Sequence, residues 1–543
     1  MAPPPKRSLV TRFTTNNYVA GMLPTLAGFM FGCDLISMSG QVSNPAYLEQ
    51  FNHPNSNLQG AITAAMPAGS FGGALINSYL SDKIGRKWCI IISGWVWVLG
   101  CIIQAASFNV RTLVAGRVVA GLAVGLGSAI VTIYQAEITR PAIRGRIVAT
   151  QQLAITFSEL LQYFVSFGCS YIANDASFRM PWALQAIPGL ILGILMFAFP
   201  ESPRWLMDHG REEQALQILA DVHAEGETEN ELVQLEYLEI KRQVEFDRTL
   251  AARSYLDLLK PEYFRRTFLA CITQMWSQLS GNNVMMYYVV YVFQSAGIVG
   301  RRGGLIASGV QYALHFVATI PAVIWVDKWG RVSPGRLMMI GMFAMGCCLF
   351  AVGAIQATLG QPLHSGSSAT TTWTIVGHTS ARNAVIVLSY IFVMLFSMTY
   401  GPCSWIFPSE IHHMRVRGKA VSAATATNWM FNFALAWSTP PAFRNIQYKT
   451  YFVYGTFCIC AAINVFFMFP ETKGRTLEEM DDLFAAGHAF SAWRLSSVPK
   501  KTLAEVEAEV ADSDMRSEGD NKHTMNHIEK SSSDHLEQAG RHV

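Results

Sequence analysis

Stretches of about 20 mainly apolar residues, long enough to carry an α-helix across about 30 Å of hydrocarbon, recur along most of this 543-residue chain. Twelve can be marked, at 18–38, 60–80, 88–108, 113–136, 147–169, 181–199, 267–296, 304–326, 337–357, 384–407, 419–439 and 450–469. With 51% hydrophobic and only 15% charged residues, the chain has far less charge than the roughly 25% of a soluble domain. The fold class is therefore all-α integral membrane, with twelve transmembrane helices.

Orientation follows from basic residues in short loops, because Lys and Arg accumulate on the cytoplasmic side. Lys6, Arg7 and Arg12 precede the first span, and alternate connections carry Lys83/Arg86/Lys87, Arg140/Arg144/Arg146, the segment 200–265, Lys328/Arg331/Arg336 and Arg415/Arg417/Lys419. The loop 39–59 contains no Lys or Arg, and Arg301/Arg302 and Arg444/Lys449 are exceptions on the outer side. Both termini are expected to be cytoplasmic. The first apolar segment is too long for a signal peptide and lacks its small-residue cleavage pattern, so it reads as a retained span. All ten cysteines lie in or beside apolar segments, which argues against a disulfide framework. A net charge of +3 gives no reason to expect a nucleic-acid partner.

Three loop motifs occur twice in the same order. SDKIGRK (81–87) returns as VDKWGRV (326–332), AEITRPAIRGR (136–146) as SEIHHMRVRGK (409–419), and PESPR (200–204) as PETKGR (470–475). The spacing from Glu137 to Arg144 equals that from Glu410 to Arg417. Six spans have been duplicated, and an even number of spans per copy makes the two repeats parallel, with a substrate site expected at their interface near the midplane. The chain then divides into a cytoplasmic N-terminus (1–17), a six-helix half (18–199), a cytoplasmic linker with short amphipathic helices (200–265), a second half (266–469), a cytoplasmic motif (470–484) and a polar tail (485–543) predicted to be disordered.

The paired D-K-x-G-R loops, PESPRWL, PETKGRTLEE, YQAEITRPAIRGR and QLSGNNVMMYY resemble the sugar porter family of the major facilitator superfamily, most closely its fungal monosaccharide transporters. The resemblance covers about residues 18–484. It implies a bundle that alternates between outward-open and inward-open states by rocking two halves around a fixed sugar site. It also implies that the cytoplasmic motifs hold the outward-facing state, through Arg86, Glu137, Arg144 and Glu201 in the first half and Arg331, Glu410, Arg417 and Glu471 in the second. After the second D-K-x-G-R, Val332-Ser333-Pro334 replaces a common basic residue, which implies a weaker latch there.

A sugar presents hydroxyls that donate and accept, with apolar C–H faces between them, so its site needs amides, hydroxyls and aromatic rings. On the fifth span Gln152, Thr156 and Glu159 fall on one helical face. On the seventh, Gln278/Asn282 and Asn283/Tyr287 make two adjacent i, i+4 pairs; the eleventh repeats the spacing with Asn428 and Asn432 beside Trp429, and the tenth supplies Trp405 within the helix-breaking GPCSW. Asn, Gln and Thr also serve as packing glue between membrane helices, at about 1 kcal/mol each. The resemblance implies sugar-binding roles for Gln152, Gln278, Asn283, Trp405, Asn428 and Trp429. Ser277 stands where the family often has a first glutamine, and Glu159 where an amide is common. Glu159, Asn282, Tyr287 and Asn432 are expected to bind substrate in the same site; a carboxylate at 159 accepts strongly from sugar hydroxyls, disfavours acidic sugars and is able to titrate. His315, alone in the eighth span, reads as a packing residue.

Asp34 sits inside the first span, where an ionised carboxylate must pair, titrate or face water. Arg117 of the fourth span lies at matching depth, and Gly28/Gly32 and Gly116/Gly121/Gly125 are expected to let the first and fourth backbones approach. The resemblance implies proton coupling through Asp34 and Arg117. The leading function is proton-coupled symport of a neutral monosaccharide, glucose or xylose, across the plasma membrane; the alternatives are a facilitative uniporter and a non-transporting sugar sensor. Expected partners are the monosaccharide, a proton and the lipid bilayer, with a monomer as the functional unit. With no G-x-x-x-x-G-K-[ST] and no metal-ligand cluster in the sequence, no enzyme activity, metal or cofactor is expected.

Overall fold

Asn16, Asn55 and Asn109 each turn a side-chain oxygen onto the free amides of the following turn, and a spanning helix starts at each. The computed structural model describes residues 14–41, 44–250, 255–297, 301–329, 337–362, 373–412 and 414–470. The N-terminal basic cluster, Arg331, Glu471 and the polar tail lie outside them.

All twelve expected spans are helical. The first six are Asn17–Ser37, Ser56–Ile84, Arg86–Ala105, Val110–Ile138, Pro141–Cys169 and Ala176–Ala198. The seventh comprises Pro261–Leu279, Asn282–Tyr287 and Val289–Ser295. The eighth and ninth are Arg301–Trp329 and Leu337–Leu359, the tenth Thr379–Met398 with Tyr400–Glu410, and the last two Met414–Asn445 and Lys449–Met468. Eight contain a stretch long and apolar enough to cross a membrane. The second, fifth, seventh and eleventh are more polar because they bury Asn77, Gln152, Glu159, Gln278, Asn428 and Asn432 inside the bundle.

Four spans are interrupted: a 3-10 turn at Leu23–Thr25 lies in the first, the sixth breaks at Gln185, and the seventh and tenth are broken as well. The seventh breaks at Gly281, whose φ of 85° is left-handed and suits a residue without a β-carbon. The tenth breaks at Thr399 rather than within GPCSW, which is helical. Pro402 supplies the reason, since it has no N–H to give the carbonyl of Met398. The one departure from an all-α chain among the described residues is a short antiparallel pair, Gly360–Pro362 with Trp373–Ile375.

The glycines pack different neighbours from those expected. A β-carbon at Gly32 would overlap Ser158 and the Ile155 carbonyl of the fifth span, and one at Gly121 would overlap the Met66 carbonyl of the second. Gly69 and Gly73 answer Gly121 and Gly125 across that second contact, small residues four apart on both helices. The first and fourth spans meet elsewhere, where Gly127 packs on Ala27 and Gln135 donates to the Gly21 carbonyl, and the Arg117 side chain reaches Asp34 beyond that contact.

The linker forms three helices, Pro203–Asp208, Glu212–His223 and Glu231–Leu250. His223 ties it down, with Nδ1 2.7 Å from Glu236 Oε2 and Nε2 3.2 Å from the Ile138 carbonyl at the end of the fourth span. Replacing Gly121 by Leu is expected to cost about 1–3 kcal/mol or more through overpacking, seen as a lower thermal unfolding midpoint for the purified protein; Gly168→Leu, where a β-carbon meets nothing within 4 Å, is the control.

Candidate functional site

Asp34 and Arg117 meet in the core of the first half. Arg117 Nη1 lies 3.6 Å from Asp34 Oδ1, and both side chains are fully buried. Ser37, one turn beyond Asp34, bridges them: Arg117 Nη1 donates to Ser37 Oγ at 3.2 Å, and Ser37 Oγ lies 3.3 Å from Asp34 Oδ1. The pairing is incomplete. Asp34 Oδ2 and Arg117 Nε and Nη2 are buried with no hydrogen-bond partner. Breaking or leaving short a buried ion pair costs about 3–5 kcal/mol, so this site is sensitive to the charge on either group.

In the centre of the bundle an amide ladder joins the seventh and eleventh spans. Gln278 Nε2 donates to Asn428 Oδ1 at 2.6 Å, while Gln278 Oε1 accepts from Asn283 Nδ2 at 2.7 Å and Asn432 Nδ2 at 3.2 Å. Tyr287 Oη donates to Asn432 Oδ1 at 3.1 Å. The turn at Gly281 brings Asn283, rather than Asn282, back to Gln278; Asn282 is buried with its Oδ1 unpartnered. Asn428 Nδ2 is also buried and unpartnered, a donor held ready for an acceptor.

Two indoles reach across from the second half to the first. Trp405 Nε1 donates to Gln152 Oε1 at 3.1 Å, and Trp429 Nε1 to Ser128 Oγ at 3.3 Å. These groups supply what a polyol needs: several donors and acceptors, with flat apolar surfaces beside them. Thr156 donates to its own helix at Leu153, and Glu159 faces His315 of the eighth span.

The halves touch at both ends of the bundle. At the end of the bundle away from the linker Tyr163 and Tyr312 pack as a tilted pair with centroids 4.8 Å apart, and Tyr312 Oη lies 3.3 Å from Ser39 Oγ. At the linker end Asn77 Nδ2 donates to Ser422 Oγ at 3.3 Å, and Lys419 Nζ lies 3.5 Å from Asp82 Oδ2. The amide ladder lies between these two sets of contacts.

At the linker end of the first half, Arg86 forks onto Glu137, Nε to Oε2 at 3.0 Å and Nη2 to Oε1 at 3.3 Å, and Ser202 also donates to Glu137. Glu201 accepts from the backbone amides of Arg86 and Lys87 at 3.0 and 3.1 Å, placing a carboxylate on the N-terminus of the third span. Burial pushes the Glu201 carboxyl above its usual range, against the lowering effect of those amides and of Arg86. In the second half Arg331 and Glu471 are outside the described residues, as are the side chains of Glu410 and of Arg144; Arg417 lies on the eleventh span.

Sequence reasoning named neither Ser37 nor Ser128. Ser37 carried a usable signal, standing three residues from Asp34; Ser128 did not, since its partner lies in the opposite half. His315, read as a packing residue, faces Glu159 across the halves.

Fold and site together define a membrane carrier for a small polyhydroxylated solute. The family model described as "Sugar (and other) transporter" matches residues 20–484. The chain is 42% identical to an MFS glucose transporter of Aspergillus flavus, covering 92% of this chain and 95% of that one. It is 41% identical to a high-affinity glucose transporter of Kluyveromyces lactis, over 91% and 89% of the two. Among solved structures, the proton:xylose symporter XylE bound to 6-bromo-6-deoxy-D-glucose matches at a TM-score of 0.72 and 26% identity, over 85% of this chain and 98% of that one. The chain belongs to the sugar porter family of the major facilitator superfamily, and its fold is that family's twelve-helix bundle of two parallel six-helix repeats. It is a multi-pass membrane sugar transporter.

Gln278→Ala removes the hub of the ladder and leaves Asn283, Asn428 and Asn432 short of partners. Sugar affinity is expected to fall by about 1–3 kcal/mol, roughly ten- to a hundredfold, in a binding titration with labelled glucose. Glu137→Gln leaves Arg86 without its fork, and is expected to raise the reactivity of inner-cavity cysteine probes while lowering uptake.

Proposed function

We propose that the protein carries out proton-coupled symport of a neutral monosaccharide, glucose first and xylose second, into the cell across the plasma membrane, with both termini cytoplasmic. The observation that carries this reading is the buried, incompletely bonded Asp34–Arg117 pair. A proton on Asp34 removes the charge that holds Arg117 and frees the guanidinium to rearrange, linking the first and fourth spans to the protonation state. Nearby charge and burial act oppositely on a carboxyl, so the site changes its hold on the proton as the cavity opens and closes.

The sugar is held in this reading by Gln278, Asn283, Asn428 and Asn432, with Asn282 and Tyr287 beside them and Gln152, Trp405 and Trp429 closing from the two halves. The unpartnered Asn428 Nδ2 takes a hydroxyl oxygen, and the ladder exchanges its internal hydrogen bonds for bonds to the substrate. Arg86, Glu137, Arg144 and Glu201, with Arg331, Glu410, Arg417 and Glu471, form the cytoplasmic latch. The names of the relatives support the substrate class: two are glucose transporters, and the structural neighbour is a proton:xylose symporter.

The test is uptake of labelled glucose in cells lacking their own hexose carriers. The wild type is expected to accumulate sugar above the external concentration and to lose that accumulation with a protonophore. Asp34→Asn is expected to abolish accumulation while sugar exchange persists. Accumulation by Asp34→Asn with normal co-transported acidification overturns the coupling role, and protonophore-insensitive uptake by the wild type assigns facilitated diffusion.

A further inference from the structure

We propose that Glu159 and His315 form a second proton-holding pair that joins the two halves, so that closing the contact between the fifth and eighth spans binds a proton. This deepens the alternating-access reading and rests on its two rocking halves, not on Asp34.

The geometry comes first. Glu159 Oε2 lies 3.5 Å from His315 Nε2, and the side chains are 3% and 1% exposed. Apart from this contact, Oε2 has no hydrogen-bond partner. On the far side of the ring, His315 Nδ1 lies 2.6 Å from Ser397 Oγ of the tenth span, and Ser397 Oγ donates to the Val393 carbonyl at 2.8 Å. A serine hydroxyl has one hydrogen. In the tautomer that this pair requires, that hydrogen goes to the Val393 carbonyl, Oγ accepts in turn, and Nδ1 carries the ring's hydrogen. The lone pair of Nε2 then faces the carboxyl.

A single proton between Oε2 and Nε2 settles this contact. On the carboxyl it gives a neutral acid donating to a neutral imidazole, and on the ring it gives a carboxylate beside an imidazolium. Both arrangements have zero net charge and one donor between two acceptors. Without the proton, a bare carboxylate faces a lone pair in a site closed to water, the costly case of a buried unpaired charge. Closed contact and bound proton therefore occur together.

The surrounding groups do not replace that proton. Tyr287 of the seventh span and Tyr312 of the eighth are within electrostatic reach of Glu159, and Tyr163 of its own helix packs against Tyr312 as a tilted ring pair. Phenols are neutral below about pH 10. Asp34 and Arg117 act on Tyr287 as well, but as an opposite-charge pair they offer no free cation. Gln152 and Thr156, on Glu159's own face, are uncharged.

The proton balance follows the motion. While the halves are parted on the open side, Glu159 faces cavity water and is ionised; on closing, a proton passes from that water to the Glu159–His315 pair. On reopening to the other side, the pair separates and the proton returns to water there. Because the first span packs on the fifth through Gly28 and Gly32, Asp34 and Glu159 ride on adjoining helices.

The experiment uses the full-length purified protein in weakly buffered detergent, with glucose added and proton uptake followed by a pH-indicating dye. Glu159→Gln is expected to take up about one proton per molecule fewer than the wild type, and Asp34→Asn is expected to keep this component. Equal uptake by Glu159→Gln and the wild type overturns the proposal. A second measurement stands on stability. His315→Gln strands Glu159, and adding Glu159→Gln is expected to recover part of the lost unfolding temperature; strictly additive losses also overturn the proposal. Failure of protonophore-sensitive accumulation overturns symport through Asp34 and leaves both readouts standing.

Discussion

Hydrocarbon offers no partner to a polar group, and the organisation of this bundle follows from that constraint. Twelve helices satisfy their own backbones, and the polar side chains that remain must answer one another. Gln278 does so with three asparagines, and Trp405 and Trp429 find Gln152 and Ser128 across the interface between halves. Where the satisfaction is complete, as in the Arg86–Glu137 fork, the contact holds structure. Where it is left short, as at Asp34, Asn428 and Glu159, a buried polar atom stands without a hydrogen-bond partner.

The two halves share a frame but not a chemistry. The described intramembrane charges, Asp34, Arg117 and Glu159, belong to the first half, while the amide ladder belongs to the second. In the proposed reading, sugar and proton are held mainly by different repeats, and the contacts that cross between the repeats include Trp405–Gln152, Trp429–Ser128 and Glu159–His315.

Much of the fold was legible because hydropathy, duplicated loops and basic flanks are properties of local sequence. The pairing of Asp34 with Arg117 was legible too, since depth along a straight helix is countable at about 1.5 Å per residue. Rotation about each helix axis was not. Gly28 and Gly32 turn toward the fifth span and Gly121 and Gly125 toward the second, because neighbours and not spacing decide which face of a helix meets which partner. The same limit hid His315, which has no polar companion in its own span. Its role depends on Ser397 behind it and Glu159 in front, residues that only packing brings together.

The seventh span shows the division most plainly. Its apolar length and its run of Gln278, Ser280, Asn282 and Asn283 were set by the sequence, and with them the need for partners inside a membrane. The left-handed turn at Gly281 then decided that Asn283 returns to Gln278 while Asn282 stands apart. Composition and periodicity determined that this chain spans a membrane in two like halves, since burial in lipid acts on each segment separately. Which polar atoms are paired and which are left waiting was decided only in the tertiary structure, because a hydrogen bond needs two groups within about 3 Å and no sequence spacing sets that distance between helices.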